Sequence, residues 1–325
     1  MKAIRCREWG DPRLLRLEEI DLPEPRAGEA VVRVRAAALN YPDWLIVQGK
    51  YQVKPDLPFT PGFEVAGTVE ALGAGVKEPA VGTRVLANTP TGGFAEFARA
   101  PAHLVRPIPE SMSDEEAAGF TVVYQTAYFA LRDRARMEAG ESVLVFGASG
   151  GVGIATIQMA RALGAGRAIA ATGSKEKAER LRSEGADDVL FNDDADFAAR
   201  VKEATGGRGA DVIVDPVGGE MGERAARCLA YGGRHVLVGF TSGRFPQLPA
   251  NLILIKNVSV VGLHWSLCRE REPQKVLDAW SAAFDFYSRG ALRPVVGARF
   301  AFERVAEAME CLTSRRAFGK IVLHW

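Results

Sequence analysis

The run Val143-Leu-Val-Phe-Gly-Ala-Ser-Gly-Gly-Val-Gly153 constrains this chain more than any other stretch. Ser142–Phe146 predicts a short buried strand, the glycines a tight turn, and Gly151–Leu163, almost wholly apolar, a buried helix. A helix entered through such a turn presents its first N–H groups without intrahelical partners, and its dipole favours negative charge there. Gly150 lets a backbone approach a pyrophosphate, and Gly153 lets helix and strand pack closely. The literal G-x-G-x-x-G pattern is not met, because Ala148 stands at its first position. The surrounding strand, helix and following strand, Arg167–Ala171, make the reading specific where a lone glycine motif would not. Ser149, Gly150, Gly151, Val152 and Gly153 are therefore assigned to the pyrophosphate of a dinucleotide.

The end of the next strand bears on which dinucleotide. A site for NAD carries Asp or Glu there to bind the ribose 2′-OH. This chain reads Ala171-Thr-Gly-Ser-Lys-Glu-Lys177, with Thr172 where the acid would stand. No carboxylate at that point repels a 2′-phosphate, Ser174 offers a donor, and Lys175 or Lys177 offers charge. Thr172, Gly173, Ser174 and Lys177 are assigned to the cofactor, which this pattern makes NADPH. The bland alternative is that the lysines form a solvated helix face, and Glu176 blurs the contrast.

From Ser113 onward strands and helices alternate, which implies βαβ units and a parallel sheet. Ser113 and Glu116 have the spacing of a capping box. Ser174–Glu184 reads as a helix with Ser174 as its cap, and Met221, Ala225, Cys228 and Leu229 make a helical stripe. The first third differs. Short alternating segments near 30–36, 65–72, 84–87 and 94–98, punctuated by Gly and Pro, predict a small β-barrel. The tail returns to a helix near Gln274–Tyr287, a strand at Val295–Phe300, a helical face of Phe302, Val305, Ala306, Met309 and Leu312, and a strand at Lys320–His324. One domain inserted in another follows: residues 1–122 with 267–325, and residues 123–266. A chain of 325 residues suits two cores.

Charge and cysteines exclude several classes. Forty-one Lys and Arg against 40 Asp and Glu leave +1, with no basic stripe for nucleic acid or a membrane surface. No apolar stretch is long enough for a bilayer and the N-terminus lacks a signal-peptide core, so the cytoplasm is the expected compartment. Cys6, Cys228, Cys268 and Cys311 have no CxxC spacing, which argues against a disulfide framework or a cysteine zinc cluster.

Several motifs carry a family resemblance over essentially the whole length. They are Ala38-Leu-Asn-Tyr-Pro-Asp43, Gly49-Lys-Tyr51, Pro58-Phe-Thr-Pro-Gly-Phe-Glu-Val-Ala-Gly67, Val81-Gly-Thr-Arg-Val85, Gly92-Gly-Phe-Ala-Glu96, Thr126-Ala-Tyr128, the Gly150 turn and Asp215-Pro-Val-Gly218. The chain resembles the medium-chain dehydrogenase/reductase superfamily, in its zinc-free NADPH:quinone oxidoreductase (zeta-crystallin-like) branch. The resemblance implies an α/β fold: a GroES-like β-barrel catalytic domain plus a Rossmann domain, a doubly wound parallel sheet. It also places Asn40, Phe63 and Val122 where the sister branch has its catalytic zinc ligands, and Phe and Val have no donor atom. No metal is expected. Without a Lewis acid, the acceptor must be electrophilic by itself, as a quinone or an α,β-unsaturated carbonyl is.

The resemblance further implies the site. Asn40 and Tyr51 are candidate catalytic donors; their alternatives are a turn-capping Asn and a packing Tyr. Tyr41, Leu45 and Trp265 are candidate substrate contacts, Trp265 being equally plain as a core residue. Thr126, Gly239, Phe240, Thr241, Leu263, His264, Trp265 and Arg315 join the cofactor set. Asp43 is expected to fix local structure and Glu64 to form an ion pair. Family members often carry Tyr where this chain has Leu45 and Asn192. An enoyl-CoA (acryloyl-CoA-type) reductase and a non-catalytic NADPH-binding or RNA-binding crystallin-like protein are the alternatives. The apolar strand Val258–Leu263, if it lies at a sheet edge, suits a homodimer.

Overall fold

In the computed structural model, which describes residues 1–325, six parallel strands form one sheet in the spatial order Asp188–Phe191, Arg167–Thr172, Ser142–Val145, Ala210–Asp215, Leu229–Leu237, Ser259–Gly262. In chain order these are the third, second, first, fourth, fifth and sixth strands. The winding therefore reverses between the first and fourth, the arrangement in which doubly wound sheets bind ligands at the carboxyl ends of their strands. Helices cover both faces, so the central strands read as continuous apolar runs: Val143, Leu144, Val145, Ile169, Val212, Ile213 and Val214 are wholly buried. Phe146, Phe197 and Val201 share one core with Leu144, Ile169 and Ile213 and with Met221, Ala225, Cys228 and Leu229. That stripe belongs to the helix Gly219–Cys228, with Leu229 opening the fifth strand.

This sheet is the heart of one compact unit, Val123–Arg293. The unit runs past the expected limit at residue 266 because the following helices pack on it. Helix Pro273–Ser288 buries Val276, Ala279, Trp280 and Ala283. Gln125 Nε2 donates to the Val276 carbonyl at 3.4 Å, and Lys275 Nζ pairs with Asp133 at 2.8 Å. Gln158, on the helix after the glycine turn, accepts the Arg293 N–H at 2.9 Å and donates to the Arg293 carbonyl at 3.0 Å. Hydrogen bonding thus carries the unit to Arg293, beyond the composition change that suggested 266/267.

The other unit joins Met1–Val122 to Pro294–Trp325. Its backbone is the eleven-residue strand Glu29–Leu39. One edge pairs with Glu64–Leu72; the other is shared, Glu29–Arg33 pairing with Phe97–Pro101 and Ala36–Leu39 with Lys320–His324. Irregularities at Val31/Val32 and Val34/Ala36 let the strand bend between these partners. Arg84–Asn88 and Val105–Pro107 continue the sheet on one side and Val296–Ala301 on the other. Gly67 lies where the two long strands touch: a Cβ there would stand 1.9 Å from the Arg33 carbonyl oxygen.

Two local expectations need correction. The strand placed at 94–98 lies at Phe97–Pro101, because Phe94 and Ala95 instead face the first strand, Ile4 N–H donating to the Phe94 carbonyl at 2.8 Å. Ser174 does not cap a helix with its side chain; a single 3₁₀ turn, Lys175–Lys177, precedes a short helix, Ala178–Ser183. The capping box at Ser113 and Glu116 is present and starts the helix Asp114–Ala118.

Candidate functional site

In the unit Val123–Arg293, the candidate cofactor residues gather at the carboxyl edge of the sheet. Ser149–Gly153 follow the first strand, Thr172–Ser174 the second, Gly239–Thr241 the fifth and Leu263–Trp265 the sixth. The turns are knitted to neighbouring strand ends. Ala148 N–H donates to the Ala171 carbonyl at 3.0 Å, Asn192 N–H to Thr172 at 3.0 Å and Leu263 N–H to Leu237 at 2.9 Å.

The glycines of the first turn divide into two kinds. A Cβ on Gly153 would sit 2.4 Å from the Gly147 oxygen, so the fold itself demands glycine there. On Gly150 the nearest atom is 3.4 Å away, an ordinary contact, and the residue is exposed. The fold does not need Gly150 to be bare, and a bare turn leaves room for a ligand's close approach. Gly150 opens the helix Gly151–Ala162 and no side chain caps it, which leaves its first N–H groups for an anion. The residues present therefore fit a dinucleotide's pyrophosphate.

At the adenosine end, Thr172 is buried and its Oγ1 accepts the Ser174 N–H at 3.2 Å. Gly173 is exposed, and Ser174 and Lys177 are half-buried. Lys175 lies over the Phe191 ring, Nζ 5.9 Å from its centre. Arg224 donates to the Asn192 carbonyl at 2.8 Å, which brings a guanidinium to this end that the sequence did not single out.

Four candidates in this unit are buried, bonded or packed within it. Thr126 is buried within the helix Thr121–Tyr128. His264 caps the helix Trp265–Arg271, its Nδ1 accepting the Leu267 N–H at 3.3 Å. Trp265 is buried and donates from Nε1 to Gln125 Oε1 at 3.2 Å, as a core residue would. Phe240 packs edge-on against Phe245 at 4.8 Å.

In the other unit, the candidates cluster around a buried polar network. Asn40 precedes the helix Tyr41–Val47, which carries Tyr41 and Leu45. Its amide points inward. Nδ2 donates to Glu64 Oε1 at 2.9 Å and reaches Ala38 O at 3.5 Å, while Oδ1 accepts from Lys320 Nζ at 2.8 Å. Lys320 Nζ also pairs with Glu64 Oε1 at 2.7 Å and donates to the Leu39 carbonyl at 2.8 Å. The second Glu64 oxygen accepts the Val122 N–H at 2.9 Å. Both charged side chains are almost wholly buried, 5% and 1% exposed. Glu64 does form the ion pair anticipated for it; the partner, Lys320, had not been picked out. Asp43 closes the helix start, its carboxylate accepting the Asn40 N–H at 2.8 Å and the Gly62 N–H at 3.1 Å. Burial pushes its carboxyl up from 3.8 to about 7, against those bonds and the Lys320 charge.

Tyr51 packs on the unit's core with its ring 6.1 Å from that of Phe63. The Tyr41 ring lies tilted against that of Trp44, centroids 5.3 Å apart. The Tyr41 phenol is pushed up by burial, with the Arg315 charge pulling the other way. Arg315 is exposed and takes a left-handed backbone, φ +59, just past the helix Val305–Thr313.

Known proteins share this organisation. Two family models match, "Alcohol dehydrogenase GroES-like domain" over residues 26–110 and "Zinc-binding dehydrogenase" over residues 151–282. Quinone oxidoreductase of Rattus norvegicus is 34% identical over 326 residues, 99% of this chain and 97% of its own. The chain belongs to the medium-chain dehydrogenase/reductase family. The solved structure of Escherichia coli quinone oxidoreductase complexed with NADPH superposes with a TM-score of 0.92 at 28% identity, covering all of both chains. Quinone oxidoreductase of Thermus thermophilus, solved also in complex with NADPH, is 35% identical with a TM-score of 0.88, again over both whole chains. As a medium-chain dehydrogenase/reductase, the protein is an oxidoreductase with an NAD(P)-type cofactor site.

One of the matching models is named for zinc, and the residues here do not fit that ion. A catalytic zinc needs three protein donors. Phe63 and Val122 supply none, and both ends of the Asn40 amide are engaged by Glu64 and Lys320. A buried ammonium already supplies the positive charge beside Glu64.

Proposed function

We propose that the protein is an NADPH-dependent reductase that delivers hydride to a quinone or an α,β-unsaturated carbonyl without a metal ion, as a homodimer in the cytoplasm. The observation that carries the reading is the donor set around Glu64: a carboxylate, an ammonium and an amide bonded to one another, with no ligand triad. Nothing there would polarise a simple ketone as a metal does, so the acceptor must take the electron pair into its own conjugated system. The naming of the rat, E. coli and T. thermophilus relatives as quinone oxidoreductases supports the acceptor class.

Bound NADPH supplies the hydride; the chain's own residues hold and orient. The first N–H groups of the helix at Gly150 take the pyrophosphate, with Ser149, Gly151, Val152 and Gly153 shaping the turn. Thr172, Gly173, Ser174 and Lys177 receive the adenosine ribose and its 2′-phosphate. Gly239, Phe240, Thr241 and Leu263 line the other half, with Thr126, His264 and Trp265 behind them in packing and capping roles. Arg315 is assigned to the cofactor on the family resemblance alone. Tyr41 and Leu45 take the acceptor, and the Tyr51 phenol donates to its carbonyl oxygen. Asn40 serves as the residue that the Glu64–Lys320 pair orients, since both its amide ends are already bonded.

The experiment is stopped-flow oxidation of NADPH and NADH with 1,4-benzoquinone, naphthoquinones, enones and crotonyl-CoA. The expected result is turnover with conjugated acceptors and a KM for NADPH at least about 10-fold below that for NADH, the order of one charge-assisted contact. A preference for NADH, or turnover confined to the CoA thioester, rejects this reading.

Self-association is supported by the sixth strand, Ser259–Gly262, which is paired on one side only. Leu254 and Ile255, on the preceding helix Ala250–Lys256, are 78% and 70% exposed. A monomer by light scattering at working concentration counts against the dimer. Four free cysteines fit a reducing compartment.

A further inference from the structure

The parallel sheet hides an ionisable pair to which the reading above gives no task. Asp215 ends the fourth strand and His235 lies in the fifth, with side chains 0% and 2% exposed. His235 Nε2 stands 3.0 Å from Asp215 Oδ2. The other carboxylate oxygen accepts the N–H groups of Val217 and Gly218, each at 2.8 Å. The Asp215 carbonyl reaches the other way and accepts from Val238 at 2.9 Å and Gly239 at 3.3 Å. One residue thus fastens the turn after the fourth strand and the start of the loop after the fifth.

These two segments are also laced to each other. Thr241 N–H donates to the Pro216 carbonyl at 3.1 Å, Ser242 N–H to Val217 at 3.0 Å, and Gly219 N–H to Arg244 at 2.9 Å. The carboxylate is closely packed: a Cβ on Gly222 would stand 2.8 Å from Asp215 Oδ2. A buried carboxylate is costly, and here its partners are two loop N–H groups and the imidazole. Packing alone does not call for it, since its strand neighbours Ile213 and Val214 are apolar and wholly buried. The pair sits at the carboxyl end of the strands beyond the switch point. The first half of a doubly wound sheet takes the adenosine nucleotide, so the second half takes the nicotinamide nucleotide.

We propose that Asp215, backed by His235, is a positioning residue for the nicotinamide half of the cofactor. It holds the Pro216–Gly219 turn, and through it Gly239–Thr241, in the shape that half requires. The inference rests on the dinucleotide reading and deepens it. His235 acts as a donor through Nε2, which keeps the carboxylate aimed at the turn.

Two ligands separate the halves. 2′,5′-ADP reports on the adenosine half alone; NADPH turnover with 1,4-benzoquinone depends on both. Asp215→Ala and His235→Leu are expected to lower kcat about 10-fold or more, as small misplacements do, while the Kd for 2′,5′-ADP stays within about 2-fold. Asp215→Asn keeps an oxygen for the two loop N–H groups. His235→Gln carries an amide N–H to about the reach of Nε2. Both conservative variants are expected to stay within about 3-fold of wild type. Where His235→Leu does not fold, because it leaves a buried carboxylate unpaired, the Asp215→Ala/His235→Leu double variant removes that charge and is expected to show the same split. Folded Asp215→Ala protein turning over NADPH within about 3-fold of the wild-type rate, or losing 2′,5′-ADP affinity in step with turnover, overturns the proposal. Wild-type protein that binds neither 2′,5′-ADP nor NADPH instead removes the dinucleotide reading, and the proposal falls with it.

Discussion

Lys320 and Glu64 set the energetics of the network beside Asn40, because neither has water to fall back on. Removing one partner of a buried pair strands the other. Lys320→Met is expected to cost about 3–5 kcal/mol in urea unfolding, and adding Glu64→Gln to restore about half of it. A loss under about 1 kcal/mol would mean that the pair is solvated in solution. Asp43 makes a prediction in pH. Its carboxyl is pushed from 3.8 to about 7 by burial, so the folded chain holds that proton more tightly than the unfolded chain. Its contribution is therefore fully present below about pH 4 and lost as pH rises through about 7, a decline of a few kcal/mol. Carboxylates held low by neighbouring arginines, Asp11 at about 2 with Glu18 and Glu307, act in the opposite sense but only in the acid range below that window. Unfolding free energies measured between pH 5 and pH 7 are expected to fall in wild type and to be flat in Asp43→Asn. At this scale the sequence was half legible. The family resemblance implied an ion pair at Glu64, but Lys320 is 256 residues away, and only folding brings the two together.

Elements were read best where one periodicity ruled. The glycine turn and its helix were legible because an apolar strand, a bare turn and an apolar helix leave few alternatives. The strand at Phe97–Pro101 was misplaced because Phe94 and Ala95 have the composition of a strand but are claimed by Ile4 and Ala3. Ser174 has the residue type and position of a cap, yet its own N–H is held by Thr172 and the chain makes a 3₁₀ turn instead. The glycine turn supplies its own test. Gly153→Ala drives a Cβ to 2.4 Å from the Gly147 oxygen. It is expected to lose more than about 2 kcal/mol of stability. Gly150→Ala has ordinary clearance in the folded chain. It is expected to keep its stability to within about 0.5 kcal/mol yet weaken NADPH binding about 10-fold, read by nucleotide fluorescence quenching. Equal stability losses in the two variants would show that Gly150 serves the fold and not the ligand.

On the scale of the whole molecule, the division into two units was legible as a change from short alternating strands to alternating strands and helices. The return point was not, because residues 267–293 look like either neighbour in composition and are claimed by Gln125, Asp133 and Gln158 through hydrogen bonds. The proposed dimer can be tested beside the sheet edge. Leu254→Lys with Ile255→Lys changes two well-exposed side chains, so the melting temperature is expected to hold while the mass by light scattering halves. An unchanged mass would place any self-association elsewhere. A final consequence follows from the shared strand Glu29–Leu39, whose second half pairs with Lys320–His324. A ribosome releases the central nucleotide-binding sheet before it delivers that closing strand, so the interrupted barrel is held open throughout translation while its insert can already mature. The acidic side chain at 64 waits uncompensated during that interval, until Lys320 arrives with its strand.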